Sequence, residues 1–277
     1  MGIKRSSQHL VLVAIWAVLF LIGYLSLSPS REGVGFIKSP FRRSSSIRPR
    51  YIFVDLGANI GDSLDAFLGK EDAKFQYEFP RPDWARYEEA GKFAGIAQVP
   101  KRMLAHFPFC KIDIYLFEGN PTFNPALVEA KQRHRSRGVN VNIFPSTVVD
   151  VRDGTRMFYL DTINDEHDYW GSSIYANHPD AVDSGSNGTE LTAINISRWL
   201  LMNTLPHDFV VVKMDIEGSE YDVIPHMAEM RVWTVIDHLL VEWHSGLHDE
   251  DAVRRAEMGM KKLVAEGVNM PEYDSPA

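Results

Sequence analysis

Short apolar runs alternate along the chain with stretches of helical periodicity, and this order predicts an α/β fold. Runs rich in β-branched and aromatic residues predict buried strands. We place these strands at residues 51–55, 112–117, 139–144, 157–160, 208–215 and 235–243. We predict helices over 59–68, 125–137, the stretch after Gly218, shortened or kinked by Pro225, and 249–265. Because strands and helices alternate, we expect a mostly parallel sheet with crossover helices.

The first fifty residues have a different pattern. Residues 10–27 are apolar and uncharged, and as a helix they would be about 27 Å long, close to the thickness of a bilayer core. We interpret this run as an uncleaved signal anchor, with a cleaved signal peptide or an organellar leader as the alternatives. Residues 1–9 would be a short tail, and the Ser-, Pro- and Arg-rich residues 28–50 a flexible stem. Residues 51–277 would form one domain.

The orientation of this anchor is indicated by two opposing features. Basic residues follow the apolar run, which disfavours translocation of the C-terminal part. Against this, Asn187 and Asn195 begin two glycosylation sequons. We expect a single-pass glycoprotein of the Golgi or another secretory-pathway membrane, with the domain in the lumen.

Composition and charge exclude some functions. The 277 residues include 29 Lys and Arg and 37 Asp and Glu, and the first fifty residues contain eight of the basic residues but only Glu32 among the acids. Residues 51–277 therefore carry a net charge of −15, which disfavours nucleic acid as a partner. Cys110 is the single cysteine, so an intrachain disulfide and a cysteine-based zinc site are excluded.

A glycine turn follows the first predicted strand and precedes a helix. Gly57 would let the backbone turn beside a ligand, and Gly61 would let the helix begin close to it. Their GxxxG spacing differs from the GxGxxG of dinucleotide enzymes. A second feature is Glu118, at the tip of the next strand, where a carboxylate can accept hydrogen bonds from both hydroxyls of a ribose. Ser146 or Thr147, after the third strand, could contact adenine.

An acidic cluster follows the strand at 208–215. Asp215 and Glu217 could orient a substrate hydroxyl or take its proton, and Glu220 and Glu242 would lie beside the substrate. His244 could act as a general base because its ordinary pKa lies near 6.5. The alternative for the cluster is a structural pair of Lys213 with an acid, with Glu220 at a helix start, and for His244 a hydrogen-bonded strand end.

Six segments, in this order, resemble the FkbM-type methyltransferases: VDLGANIGDS, FEGNP, DVRDGT, WGSS, KMDIEGSEYDVI and LLVEWH. The resemblance implies a Rossmann-like methyltransferase fold, S-adenosylmethionine as cofactor and methyl transfer to oxygen, often on a sugar or other polyol. It implies cofactor contacts for the family's glycine turn and ribose carboxylate, which here are Asp55, Gly57, Asn59, Gly61 and Glu118. Ser172 and Ser173 match a segment that we place near the substrate. We predict no metal.

The chain departs from the family pattern in two places. Residues 70–110 form a long aromatic-rich insertion, which is either a lid over the acceptor or structural padding. After Trp243 only 34 residues remain, little room for the last two strands of the fold. The short C-terminal part leaves open an inactive scaffold with a methyltransferase fold. The anchor, the stem and the acidic pair Asp215 and Glu217 leave open a lumenal glycosyltransferase, an enzyme class that commonly uses a divalent metal held by carboxylates.

Overall fold

The computed structural model describes residues 49–69, 73, 77–82, 111–135, 139–165 and 169–273. These belong to one compact unit, residues 47–277. The predicted tail, anchor and nearly all of the stem, most of the 70–110 insertion and Cys110 lie outside the described residues. Among the helices in the described part of the chain, none is long and apolar enough to cross a bilayer.

The described residues form strands and helices in alternation. The strands are β1 (Arg50–Leu56), β2 (Lys111–Phe117), β3 (Asn140–Phe144), β4 (Thr147–Asp150), β5 (Gly154–Phe158), β6 (Thr189–Asn195), β7 (Phe209–Met214) and β8 (His238–Val241). The α-helices are α1 (Asp62–Phe67), α2 (Asn124–Arg135), α3 (Pro179–Asp183), α4 (Ile196–Asn203), α5 (Glu220–Glu229) and α6 (Glu250–Ala265). Short 3-10 helices lie at Pro121–Phe123 and Val232–Thr234.

The main sheet has five strands in the order β3-β2-β1-β7-β8, and every neighbouring pair is parallel. This confirms the predicted parallel α/β architecture. A second sheet, β4-β6-β5, contains one parallel and one antiparallel pair. Next to β8, Asn269 forms a single parallel bridge with His238. In the described residues, this bridge is all that pairs with the outer edge of β8.

The central strands are apolar on both faces because helices cover both sides of the sheet. Ile52, Val54 and Leu56 of β1 face a core shared with α4 and α5, whereas Tyr51 and Phe53 face a core shared with α1 and α2. Residues of β7 alternate in the same way, all of them buried. The continuous apolar run at 208–215 is therefore the central strand that its pattern predicted.

Three predicted elements have different limits in the structure. The helix predicted at 59–68 begins only at Asp62, because Asn59 and Gly61 both have positive φ. The strand predicted at 235–243 is confined to β8, and the one at 157–160 is β5, which belongs to the second sheet. Helix α5 continues past Pro225 to Glu229.

The described part of the insertion, residues 77–82, packs on the core. Phe79 is 2% exposed and makes edge contacts with Phe53 and Phe67. The Tyr51 hydroxyl, at the start of β1, donates a hydrogen bond to the Pro80 carbonyl. This part of the insertion therefore lies near the amino ends of the strands and favours structural packing there over a lid; the rest of the lid hypothesis falls on residues outside the description.

Candidate functional site

A cleft opens at the carboxyl ends of the strands of the main sheet. Its empty space, counted together with the solvent at its open mouth, is about 610 Å³. Gly57 and Asn59 after β1, Glu118 and Asn120 after β2, and the stretch from Asp215 after β7 contribute to its walls. Parallel strands end at the same edge of a sheet, which is why segments distant in sequence meet here.

Gly57 is required by a close approach of two backbones. Its φ is +85°, and a Cβ at this position would collide with the backbone carbonyl oxygen of Asp215. Asp215 N–H also donates to the Leu56 carbonyl at 3.0 Å. The turn after β1 and the loop after β7 are thus in direct backbone contact, so the glycine makes room for the protein's own chain as well as lining the cleft.

Gly61 lies at the start of α1, beside α2. It precedes α1 with a φ of +82°, and a Cβ there would point at Leu127 and Ala130 of α2, at 3.6 and 3.5 Å. It is not part of the cleft wall. The left-handed backbone beside a neighbouring helix explains why a glycine lies here, and its contact with the cofactor stays a prediction.

Glu118 is the buried carboxylate at the tip of β2. It is 7% exposed, and its two oxygens accept hydrogen bonds from the backbone N–H of Asn59 at 2.7 Å and of Asn120 at 2.6 Å. Burial raises the pKa of Glu118 to about 7, although those two N–H groups oppose the shift. The carboxylate is therefore held in one orientation in the cleft, with lone pairs remaining for a ligand.

Asp55 lies beneath the cleft rather than in its wall. It is fully buried, accepts a hydrogen bond from the Ser63 hydroxyl and lies 3.4 Å from the Lys213 ammonium. Burial raises the pKa of Asp55 to about 6, and Lys213 partly offsets this. Lys213 also contacts Asp215 Oδ2 at 3.2 Å and the Gly57 carbonyl at 3.3 Å. Asp55 thus supports the turn and Lys213 from below, and its contact with a cofactor stays a prediction.

The side of the cleft next to β4 is partly apolar. Thr147 and Val148 line it together with Phe158, whose ring lies against Gly119. The Ser146 hydroxyl instead accepts a hydrogen bond from Asn124 Nδ2 at 2.9 Å and does not reach the wall. Of the two residues predicted near adenine, the structure places Thr147 in the cleft.

The segment 169–174 closes another side of the cleft. Ser172 lines it and accepts hydrogen bonds from Asn120 Nδ2 at 3.1 Å and from Asp161 N–H at 3.0 Å. Ser173 is fully buried and donates to the Glu217 carbonyl at 2.6 Å. Successive residues point in opposite directions, so Ser173 supports the loop and is not available to a substrate.

The acids after β7 also divide into two kinds. Asp215 and Glu217 line the cleft with side chains 20% and 16% exposed. Glu220 is fully buried, and its two oxygens accept the N–H groups of Ile216 at 2.7 Å and Gly218 at 2.9 Å. Both oxygens of Glu220 hold the loop that carries Glu217, and its contact with a substrate stays a prediction.

His244 lies among these acids. Its Nδ1 is 3.3 Å from Glu220 Oε1, and its Nε2 is 3.4 Å from Glu217 Oε2 and 3.8 Å from Asp215 Oδ1. Burial lowers the pKa of His244, but the bond to Glu220 and the surrounding carboxylates outweigh it and raise that pKa to about 9. A pKa in this range favours the protonated imidazole at neutral pH, so His244 would have to lose this proton before it could act as the general base, a role that stays a prediction.

Glu242 completes this cluster behind His244. Its Oε1 lies 3.9 Å from His244 Nε2. Burial and the charge of Asp215 raise the pKa of Glu242 to about 7. It is not part of the cleft wall, so the predicted substrate contact would have to be made at the edge of the cleft.

A comparison of the sequence with protein-family models identifies the family of this chain. Residues 55–262 match the model of the methyltransferase FkbM domain. The chain belongs to the FkbM methyltransferase family. No curated protein and no solved structure matched the chain. The matched range contains every site residue discussed above, so the cleft lies within the FkbM domain.

Sequence reasoning missed several residues of the FkbM cleft. Tyr169 and Trp170 line it, and the aromatic pair directly before the Gly-Ser-Ser segment was a usable signal. Asn120 donates one hydrogen bond from its backbone N–H to Glu118 and one from its side-chain amide to Ser172. Its place in the Phe-Glu-Gly-Asn-Pro segment was a usable signal. His178, whose Nε2 is 3.2 Å from Glu217 Oε2, carried no signal because it lies on a separate loop.

Proposed function

We propose that this chain transfers the methyl group of S-adenosylmethionine to a hydroxyl oxygen of a sugar or a similar small polar acceptor. The observation that carries the proposal is that Glu118 faces the same cleft as Asp215 and Glu217. The family membership supports methyl transfer and disfavours the glycosyltransferase alternative. The acceptor class and the cofactor are the parts that need an experiment.

The residues of the cleft fit an adenosine-containing cofactor. Glu118, with both oxygens fixed by backbone N–H groups, would bind the two ribose hydroxyls. Thr147, Val148 and Phe158 provide an apolar wall with one hydroxyl, which suits a flat base. S-adenosylmethionine supplies a methyl group already activated by a positive sulfur, so the protein's main task is alignment.

Asp215 and Glu217 would act on the acceptor. Both are partly exposed carboxylates at the cleft wall, and each can accept a hydrogen bond from a hydroxyl and fix the direction of its oxygen. When the oxygen gains the methyl group, its proton passes to a carboxylate oxygen and then to water. Lys213 and His178 hold these two acids in place.

Calorimetric titration of the purified 277-residue chain with S-adenosylmethionine and S-adenosylhomocysteine tests the cofactor site. We expect micromolar binding that weakens at least tenfold in Glu118→Ala, because the ribose hydroxyls lose their acceptor. Glu129→Ala, an exposed change on α2, is the matched control and should bind normally. If the folded chain binds neither compound, the methyltransferase proposal fails; binding without methylation of any sugar or polyol would favour the scaffold alternative.

We also propose that the chain is anchored in a secretory membrane with this domain in the lumen. The two sequons then differ in accessibility. Asn187 is exposed, whereas the Asn195 side chain accepts the Arg198 N–H at 2.9 Å and caps α4. We expect a glycosidase-sensitive band shift that Asn187→Gln removes and Asn195→Gln does not. A chain without glycan when expressed in secretory cells would contradict the lumenal orientation.

A further inference from the structure

Three potential metal ligands converge at the carboxyl ends of β7 and β8. Asp215 and Glu217 follow β7, and His244 follows β8. One ligand atom of each lies within 4.8 Å of the others. All three side chains are partly exposed, and Asp215 and Glu217 line the cleft, so an ion and its remaining ligands could reach them.

The distances within this group leave room for an ion between its ligand atoms. His244 Nε2 lies 3.4 Å from Glu217 Oε2 and 3.8 Å from Asp215 Oδ1, beyond the usual hydrogen-bond range of about 2.7–3.2 Å. Around a divalent ion with bonds of about 2.1–2.4 Å, adjacent ligand atoms are about 3.0–3.4 Å apart and opposite ones about 4.2–4.8 Å. The separation of 3.4 Å is that of adjacent ligand atoms, and the separation of 3.8 Å lies between the two ranges.

A second observation is that Glu220 orients the imidazole of His244 on the side away from Asp215 and Glu217. Its Nδ1 faces Glu220 Oε1 at 3.3 Å, and Glu220 is itself fixed by two backbone N–H groups. An ion that displaces the Nε2 proton of the imidazole leaves the other proton on Nδ1, where it is donated to Glu220, and the lone pair of Nε2 then points toward Asp215 and Glu217. This is the carboxylate–histidine–metal arrangement, in which an outer carboxylate sets the tautomer of the ligand.

The surrounding charge is predominantly negative and favours a cation at this point. Asp55, Asp215, Glu217, Glu220 and Glu242 lie close together, and Lys213 contacts only Asp55 and Asp215 among them. Glu242 Oε2 is buried and has no hydrogen-bond partner among the described residues. An unpaired buried oxygen is costly, and a nearby ion would reduce that cost.

We propose that Asp215, Glu217 and His244 bind one divalent cation of the Mn²⁺ type, with coordination positions open to the cleft. Two carboxylates and one imidazole suit Mn²⁺ better than Ca²⁺, which takes oxygen ligands almost exclusively. In a role that rests on the proposed function, the ion would coordinate the acceptor hydroxyl and lower its pKa before methyl transfer. This replaces our prediction from sequence that no metal is bound.

The test is a titration of the EDTA-treated 277-residue chain with MnCl₂ in the absence of cofactor and acceptor, followed by electron paramagnetic resonance. We expect one bound Mn²⁺ per chain with a nitrogen coupling from a single imidazole. His244→Gln should abolish this coupling, and Asp215→Asn should weaken binding at least tenfold. Glu257→Gln, an exposed carboxylate change on α6, should alter neither.

Several outcomes would overturn the metal site. These are no bound Mn²⁺ at millimolar concentration, no nitrogen coupling in the wild-type chain, or unchanged binding in folded Asp215→Asn. Because the wild-type spectrum alone reports the imidazole, a variant that unfolds does not remove the test. Titration of the metal-free chain with S-adenosylhomocysteine separates the metal site from the proposed methyltransferase function. Cofactor binding without Mn²⁺ binding would contradict the metal site alone. Mn²⁺-dependent cleavage of a nucleotide sugar would overturn the assigned role of the ion.

Discussion

At the scale of single residues, neighbouring positions in one motif have unrelated tasks. Gly57 avoids a collision with another backbone, whereas Gly61 adopts a left-handed conformation beside α2. Glu217 lines the cleft with a φ of +51°, whereas Glu220 holds the loop. The residue type alone therefore does not tell which member of a motif meets a ligand.

Replacement of Gly57 tests the backbone contact directly. We expect Gly57→Ala to lower the free energy of unfolding by about 2–4 kcal/mol, because the new methyl group forces the Asp215 carbonyl away and the positive φ is strained. Gly185 also has a positive φ, of +61°, but nothing lies within 4 Å of its missing Cβ. Gly185→Ala should therefore cost only about 1 kcal/mol. Urea unfolding measures both, and equal losses would contradict the collision.

At the scale of secondary structure elements, an ion pair connects β1 and β7 at the base of the site. Asp55 and Lys213 are register partners on one face of the sheet, and both are almost completely buried. The pair lies under the turn and the acids that form the cleft. The strength of this ion pair therefore affects how firmly the turn after β1 and the loop after β7 are held together.

We expect Lys213→Met to destabilise the fold by about 3–5 kcal/mol, because Asp55 loses its counter-charge in a buried position. Asp55→Asn combined with Lys213→Met should be less destabilised than the sum of the single changes by at least about 1 kcal/mol. The exposed pair of Asp153 and Arg198 is the control, and its coupling should be much weaker because solvent screens both charges. Additive losses at the buried pair in a double-mutant cycle would argue against the connection.

The contact between α5 and α6 offers a second prediction for the elements. A Cβ on Gly259 would lie 2.9 Å from the Pro225 Cα, so the two helices approach closely where α5 contains its proline. Gly259→Ala should destabilise the fold by about 1–2 kcal/mol despite the better helix propensity of alanine. Exposed Met258, replaced by alanine, should change stability by less than about 0.5 kcal/mol in the same thermal unfolding assay. A stabilised Gly259→Ala would show that the helices can separate without cost.

At the scale of the whole molecule, Glu118 makes stability depend on pH. Its pKa is about 7 in the folded protein against 4.5 ordinarily, so between these values the folded chain keeps a proton that the unfolded chain has released. Stability from this group therefore falls as pH rises from about 4.5 to about 7 and stays low above that. Relative to Glu118→Gln, the wild type should lose on the order of 2–3 kcal/mol between pH 5 and pH 8 in urea unfolding. Parallel pH profiles of the two proteins would contradict this.

The sequence was sufficient for the architecture but not for the side-chain assignments. Strands covered on both faces, such as β7, appear as continuous apolar runs, and Asp249 was predicted as the cap that it forms by accepting the Ala252 N–H. The alternation of Ser172 and Ser173 across a loop has no such pattern, because loop conformation depends on tertiary contacts. The same applies to His178, which reaches Glu217 from a distant segment.

The backbone contact at Gly57 has a consequence for motion. Amide groups at the strand ends are hydrogen-bonded across the sheet: Asp215 N–H to Leu56, and Gly57 and Ala58 N–H to Phe117. In hydrogen–deuterium exchange these three amides should be protected even without ligand. Backbone that is already rigid loses little conformational entropy when a ligand binds. Binding should therefore order side chains such as Trp170 and leave the backbone at these strand ends unchanged.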